Sequence, residues 1–214
     1  MEAKPTKIPS FYLGAIAVAG WFALIGQLYL IIENRVVSVA ETIARYFGFF
    51  TILTNIIVAV CVTVLLVKPT SKWGKFFSKA NTLTAITVYI TLVGVVYNVI
   101  LRFLWAPKGL QYVVDELLHT VIPVLFIILW RLYVQAQGLK YKNVLAWLIY
   151  PFAYIIFTAI RGEMTGYYPY PFIDVSQLGY LMVIINSLGL IIAFSGLSLF
   201  LVAMGKREKP VSDH

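Results

Sequence analysis

Six stretches almost free of charge leave this chain few folds to choose from: Phe11–Ile32, Tyr46–Val67, Thr84–Leu101, Val113–Trp130, Val144–Ile160 and Leu178–Met204. Each is about 17 residues or longer, and ~20 residues at a rise of 1.5 Å cover the ~30 Å hydrocarbon core of a bilayer. Strand-type alternation is absent, which argues against a β-barrel. The composition agrees, with 61% hydrophobic and 12% charged residues, where a soluble domain carries roughly a quarter charged. The sequence predicts an all-α integral membrane bundle of six transmembrane helices in one domain, residues 1–214. The first run is 22 residues long, beyond the reach of a signal-peptide core, and no A-x-A pattern ends it. It reads as a retained helix.

The formal charge of +8 raises the question of nucleic acid, and its distribution answers it. Lys4, Lys7, Lys68, Lys72, Lys75, Lys79, Arg131, Lys140, Lys142, Lys206, Arg207 and Lys209 fall on one side of the predicted topology. Arg35, Arg45, Arg102, Lys108 and Arg161 fall on the other. Twelve basic residues against five is the positive-inside bias, with both termini cytoplasmic, in the plasma membrane if the source is bacterial. Basicity here is topological, and no nucleic-acid partner is expected. The single cysteine, Cys61, can form no intrachain disulfide and completes no cysteine-based metal site. One internal histidine with scattered carboxylates also lacks the usual zinc set, so no metal or other cofactor is expected.

Residues 1–10 read as a short polar arm and 205–214 as a mobile charged tail. No internal repeat supports an inverted-repeat transporter, and no phosphate loop, nucleophile elbow or H-E-x-x-H motif occurs. The segment 161–174 carries three charges, three tyrosines and two prolines in fourteen residues. It reads either as an interfacial aromatic belt or as a stiff lid over a cavity between helix ends.

His119 lies at the head of the fourth run, and ionisable side chains at membrane depth usually face a bundle interior or a cavity. Counting along the helices sets Thr51 and Asn55 on the second, Asn98 and Arg102 on the third, Asp115, Glu116 and His119 on the fourth. Arg161 ends the fifth helix and Asp174 precedes the sixth. All fall in the outer half. Each has a plainer role open to it. Asp115 and Glu116 in a first helical turn would meet the macrodipole. Arg102 and Arg161 would snorkel to headgroups, Asn98 would join helices, and Thr51 would bond its own helix. Pro123 would kink the fourth helix against the carbonyl of His119, which would then need another donor.

Chemically, a hydroxyl and an imidazole at similar depth make a candidate nucleophile and base, Thr51 and His119. Asp115, four residues before His119, would orient the ring as in a triad. Asn55, Asn98 or Arg102 would supply the oxyanion donor.

Tyr46-Phe47-Gly48-Phe49-Phe50-Thr51-Ile52-Leu53-Thr54-Asn55 and Leu118-His119-Thr120-Val121-Ile122-Pro123 resemble the androgen-induced-gene/FAR-17a-like family and its related bacterial six-helix membrane proteins. The likeness covers the six-helix plan and most of the chain. Tyr150-Pro151-x-x-Tyr154 and the Arg161–Asp174 segment, with Tyr168-Pro169-Tyr170-Pro171, resemble the bacterial branch. Eukaryotic members are threonine hydrolases of fatty acid esters of hydroxy fatty acids. The resemblance implies Thr51 as nucleophile and His119 as catalytic histidine, with Thr54 a competing hydroxyl three residues on. Asn55, Asn98, Arg102, Asp115, Arg161, Tyr170 and Asp174 would be supporting or substrate-binding residues. The expected activity is hydrolysis of a lipidic ester that enters from the membrane. Two other classes stay open: a small-solute or proton-coupled transporter using His119 and Asp115 as a relay, and a non-catalytic structural protein.

Overall fold

The computed structural model describes residues 8–207. The N-terminal arm with Lys4 and Lys7, and the end of the tail with Lys209, lie outside them. Among the described residues there is no strand, and six helices are long and apolar enough to cross a membrane: Ser10–Glu33, Phe50–Val67, Ala80–Leu104, Leu110–Tyr133, Asn143–Thr165 and Val175–Lys206. Main-chain contacts divide the chain into two compact units, one built from the chain up to Leu139 and from Leu201 onward, the other from Lys140–Phe200.

In the first unit, α1 (Ser10–Glu33) packs on α3 (Phe50–Val67), α3 on α5 (Ala80–Val99), and α5 on α7 (Ile122–Tyr133). The contact of α1 with α6 (Leu110–Glu116) closes the ring of four spans. In lipid the helices gain little from apolar burial against one another, so close backbone approach and interhelical hydrogen bonds hold the ring. A Cβ on Gly20 would lie 3.2 Å from the Ala59 Cβ, which sets how closely α1 meets α3. Trp130 Nε1 donates to Thr84 Oγ1 at 2.8 Å, joining α7 to α5. Tyr12 OH donates to the Leu125 carbonyl at 2.8 Å, joining α1 to α7.

The connections hold more structure than the charge-free runs predict. Ser38 accepts from the Glu41 amide and opens α2 (Val39–Tyr46), the S-x-x-E start of a capping box. Glu41 then pairs with Arg45 at 2.9 Å, four residues on. Val39, Ile43 and Phe47 lie exposed along this short helix, while Thr42 and Tyr46 are buried. Tyr46 OH donates to the Leu24 carbonyl at 2.8 Å, and burial pushes its phenol up to about 12, so it stays a donor. Ser71 likewise caps α4 (Lys72–Phe77), inside what reads from sequence as a loop.

The second unit contains α8 (Asn143–Trp147), α9 (Ile149–Thr165) and the first part of α10 (Val175–Arg207), which is interrupted at Gly179, φ 73°. α9 runs past Ile160 to Thr165, so Arg161 is helical and not at a helix end; Gly166, φ 67°, closes the helix in the left-handed conformation. A Cβ on Gly162 would overlap the Tyr168 ring, so the following loop packs on the helix where only glycine leaves room. Gly162→Ala is therefore expected to cost about 1–3 kcal/mol as an overpacking substitution. Thermal unfolding in detergent checks this, and Tyr168→Ser in the same chain should recover most of the loss.

Candidate active site

Pro123 has no N–H, so neither the Leu118 carbonyl five residues back nor the His119 carbonyl four back can receive a bond from it. The chain answers by widening. Residues Leu117–Val121 form a π-turn, closed by the Ile122 N–H on the Leu117 carbonyl, a device common at functional sites. The carbonyls that Pro123 leaves are met from other spans. Asn55 Nδ2 donates to Leu118 O at 3.2 Å, and Asn98 Nδ2 to His119 O at 3.1 Å. The donor that Pro123 demands thus exists, and it is Asn98. Gly94 lets α5 come this close, since a Cβ there would lie 3.1 Å from both His119 O and the Pro123 side chain.

The π-turn carries His119, whose Nδ1 lies 2.9 Å from the Asp115 backbone carbonyl. A carbonyl only accepts, so Nδ1 bears the proton and, in the neutral ring, Nε2 keeps the lone pair. Tyr97 stacks on the imidazole, ring centroids 3.9 Å apart and planes 12° from parallel. The Asp115 carboxylate sits farther off, with Oδ1 3.9 Å from Nδ1. It accepts instead from Tyr97 OH at 3.2 Å and from Gln111 Nε2 at 3.3 Å. Asp115 therefore orients His119 through its main chain, and its side chain braces the neighbours.

The helix-dipole expectation for Asp115 and Glu116 is corrected. The fourth span starts at Leu110, after Gly109 at φ 58°, and its first turn holds no acidic residue. Arg102 reaches the fourth span as well. Its Nη2 lies 2.6 Å from Glu116 Oε1 and 3.1 Å from Thr120 Oγ1, with the guanidinium 5.4 Å from the Tyr97 ring centre. Glu116 is held by that pair.

Thr51 and His119 line one cavity of about 160 Å³, together with Gln27, Tyr46, Trp105 and Asp115. Ile31, Phe49, Ile52 and Leu118 complete its walls, which are mostly apolar. Both catalytic candidates sit at the same level for a geometric reason. Asn55 meets Leu118, which sets Thr51 one turn above that carbonyl, and the His119 ring reaches back one turn toward Asp115. Thr51 is buried, 7% exposed.

Of the residues expected from sequence, Thr51, Asn55, Asn98, Arg102, Asp115 and His119 belong to the first unit, where the contacts above link them. Arg161, Tyr170 and Asp174 belong to the second. There the Arg161 guanidinium lies 5.4 Å from the Tyr167 ring centre, and Tyr170 stacks on Phe172 at 5.1 Å. Asp174 caps α10, accepting from Ser176 N, Ser176 Oγ and Gln177 Nε2 at 2.9, 2.5 and 2.7 Å. The Ser176 hydroxyl holds its carboxyl below the usual range. Sequence reasoning missed Tyr97, Gln111, Thr120 and Gln27. Gln27, a lone amide in a charge-free run, was the one signal open to it, since unpaired amides in such runs seek partners. Compared with protein-family models, with curated proteins and with solved structures, the chain matches none.

Proposed function

We propose that this protein is an intramembrane ester hydrolase, with Thr51 as nucleophile and His119 as general base, acting on lipidic esters. Fatty acid esters of hydroxy fatty acids are the class that the likeness of its second and fourth spans suggests. The observation carrying the reading is that Thr51 and His119 line one cavity while the bonded Nδ1 of His119 leaves Nε2 basic. Nε2 takes the Thr51 hydroxyl proton as Oγ1 adds to the ester carbonyl. Collapse of the tetrahedral intermediate breaks the C–O bond to the alcohol, which leaves with the proton from Nε2. Water, deprotonated by the same nitrogen, then cleaves acyl-Thr51 to the free acid and restores the hydroxyl.

The cavity volume equals roughly five waters at ~30 Å³ each, room for the ester group and its nearest carbons. The remaining acyl chain would lie among the lipid-facing side chains. The asymmetry of basic residues supports cytoplasmic termini in a multi-pass protein.

An activated hydroxyl should react with a long-chain alkyl fluorophosphonate. Mass spectrometry of the labelled, purified protein is expected to map the adduct to Thr51, and His119→Ala to abolish it. An adduct confined to another residue, Thr54 included, would remove Thr51 from the mechanism.

A further inference from the structure

Hydrolysis requires a donor aimed at the carbonyl oxygen where negative charge accumulates. The donors expected from the sequence, Asn55, Asn98 and Arg102, do not line the cavity, and the two amides are engaged elsewhere. Asn55 Nδ2 gives its two protons to Thr51 O at 2.9 Å and Leu118 O at 3.2 Å. Asn98 Nδ2 serves Gly94 O at 2.8 Å and His119 O at 3.1 Å. Arg102 holds Glu116 and Thr120 through Nη2; its Nε is buried without a partner, but the residue does not line the cavity. Tyr46 OH, on the cavity wall, is committed to Leu24 O.

Gln27 differs. It lies on α1 and lines the cavity with Thr51 and His119. Its Oε1 accepts from Gln111 Nε2 at 2.8 Å, and that nitrogen also donates to Asp115 Oδ1 at 3.3 Å. Both Gln111 protons are thereby used, and the Gln27 amide is pinned with its oxygen toward Gln111 and its NH₂ on the other branch. Among the described residues, no protein acceptor takes a proton from Gln27 Nε2. A glutamine that merely tied α1 to α6 would need only its oxygen. The Trp105 N–H is the other donor at the wall, but it comes from an irregular segment, is half exposed, and has no partner fixing its direction.

We infer that Gln27 is the donor that takes the carbonyl oxygen of an ester-type ligand in this cavity, with Gln111 and Asp115 as positioning residues. The fate of that carbonyl rests on the hydrolase reading; its capture does not. Asp115 would then serve both halves of the site, its main chain setting His119 and its carboxylate, through Gln111, setting Gln27.

The test uses a long-chain methyl ketone, ¹³C-labelled at the carbonyl, bound to the full chain in lipid nanodiscs. Isotope-edited infrared spectroscopy should show a carbonyl band shifted to lower frequency in the wild type. Gln27→Leu should lose that shift. Gln27→Glu retains an acceptor for Gln111, and so the α1–α6 link, and should lose it too. Turnover of a long-chain nitrophenyl ester should fall about 100-fold in both variants, in kcat more than in KM. A shifted band that depends on Gln27 without ester cleavage keeps the inference and removes the hydrolase reading. An unshifted or absent ketone band in the wild type, or a shift surviving both substitutions, overturns the inference whether or not esters are cleaved.

Discussion

His119→Ala should lower kcat/KM for a long-chain nitrophenyl ester by about 10²–10⁴-fold, the range that a positioned general base contributes. His119→Gln should do no better, because an amide fills part of the ring's volume without a basic nitrogen. The geometry makes a second, sharper statement about Asp115. In a serine-type triad the carboxylate holds the imidazole, and replacing it by an amide costs about 10⁴-fold by imposing the wrong tautomer. Here the Asp115 backbone carbonyl, 2.9 Å from Nδ1, fixes the tautomer. Asp115→Asn keeps that carbonyl and an acceptor for Gln111. It should therefore lie far closer to wild type than His119→Ala does. Equal losses in the two variants would mean that the carboxylate, not the main chain, sets the ring, and a His119→Ala enzyme within tenfold of wild type would remove the base from the mechanism.

Depth along a helix was legible in this sequence, and rotation about it was not. The six spans, the convergence of Thr51 and His119, and the need of the His119 carbonyl for a new donor all follow from distances along the chain and from one proline. Those are local quantities. The π-turn depends on Asn55 and Asn98, which arrive from two other spans, so no periodicity within Val113–Trp130 announces it. The start of that span at Leu110 was misread because the charges of Asp115 and Glu116 look like a helix beginning, whereas Gly109 marks it. Gln27 and Gln111 stand 84 residues apart, and nothing in either neighbourhood names the other. The short helix Val39–Tyr46 escaped for the opposite reason. Its Glu41 and Arg45 make it polar enough to pass for a loop, yet they pair on one face while apolar side chains line the exposed one.

Pro123→Ala should separate stability from activity. With an N–H at position 123, the segment can return to ordinary α-helical pairing, in which Ile122 serves the Leu118 carbonyl and Ala at 123 serves His119 O. The Asn55 and Asn98 bonds to those carbonyls would then be dispensable. In the wild type, Asn98→Leu is expected to destabilise by about 0.6–1.7 kcal/mol, the span found for interhelical hydrogen bonds in membranes, and Asn55→Leu by a similar amount. In the Pro123→Ala background both costs should shrink, a positive coupling that a double-mutant cycle reads directly from unfolding in mixed micelles. Activity should move the other way. Closing the π-turn removes one residue's worth of rotation, roughly 100° at 3.6 residues per turn, between His119 and the helix that follows. Misplacing a catalytic group by about 1 Å already costs on the order of 10²-fold, so Pro123→Ala should be at least as stable as the wild type and at least that much slower. Additive effects of Pro123 and Asn98 substitutions would mean that the asparagine serves something other than the carbonyl the proline leaves open. Undiminished turnover in Pro123→Ala would mean that the widened turn is not what aims the imidazole at the cavity.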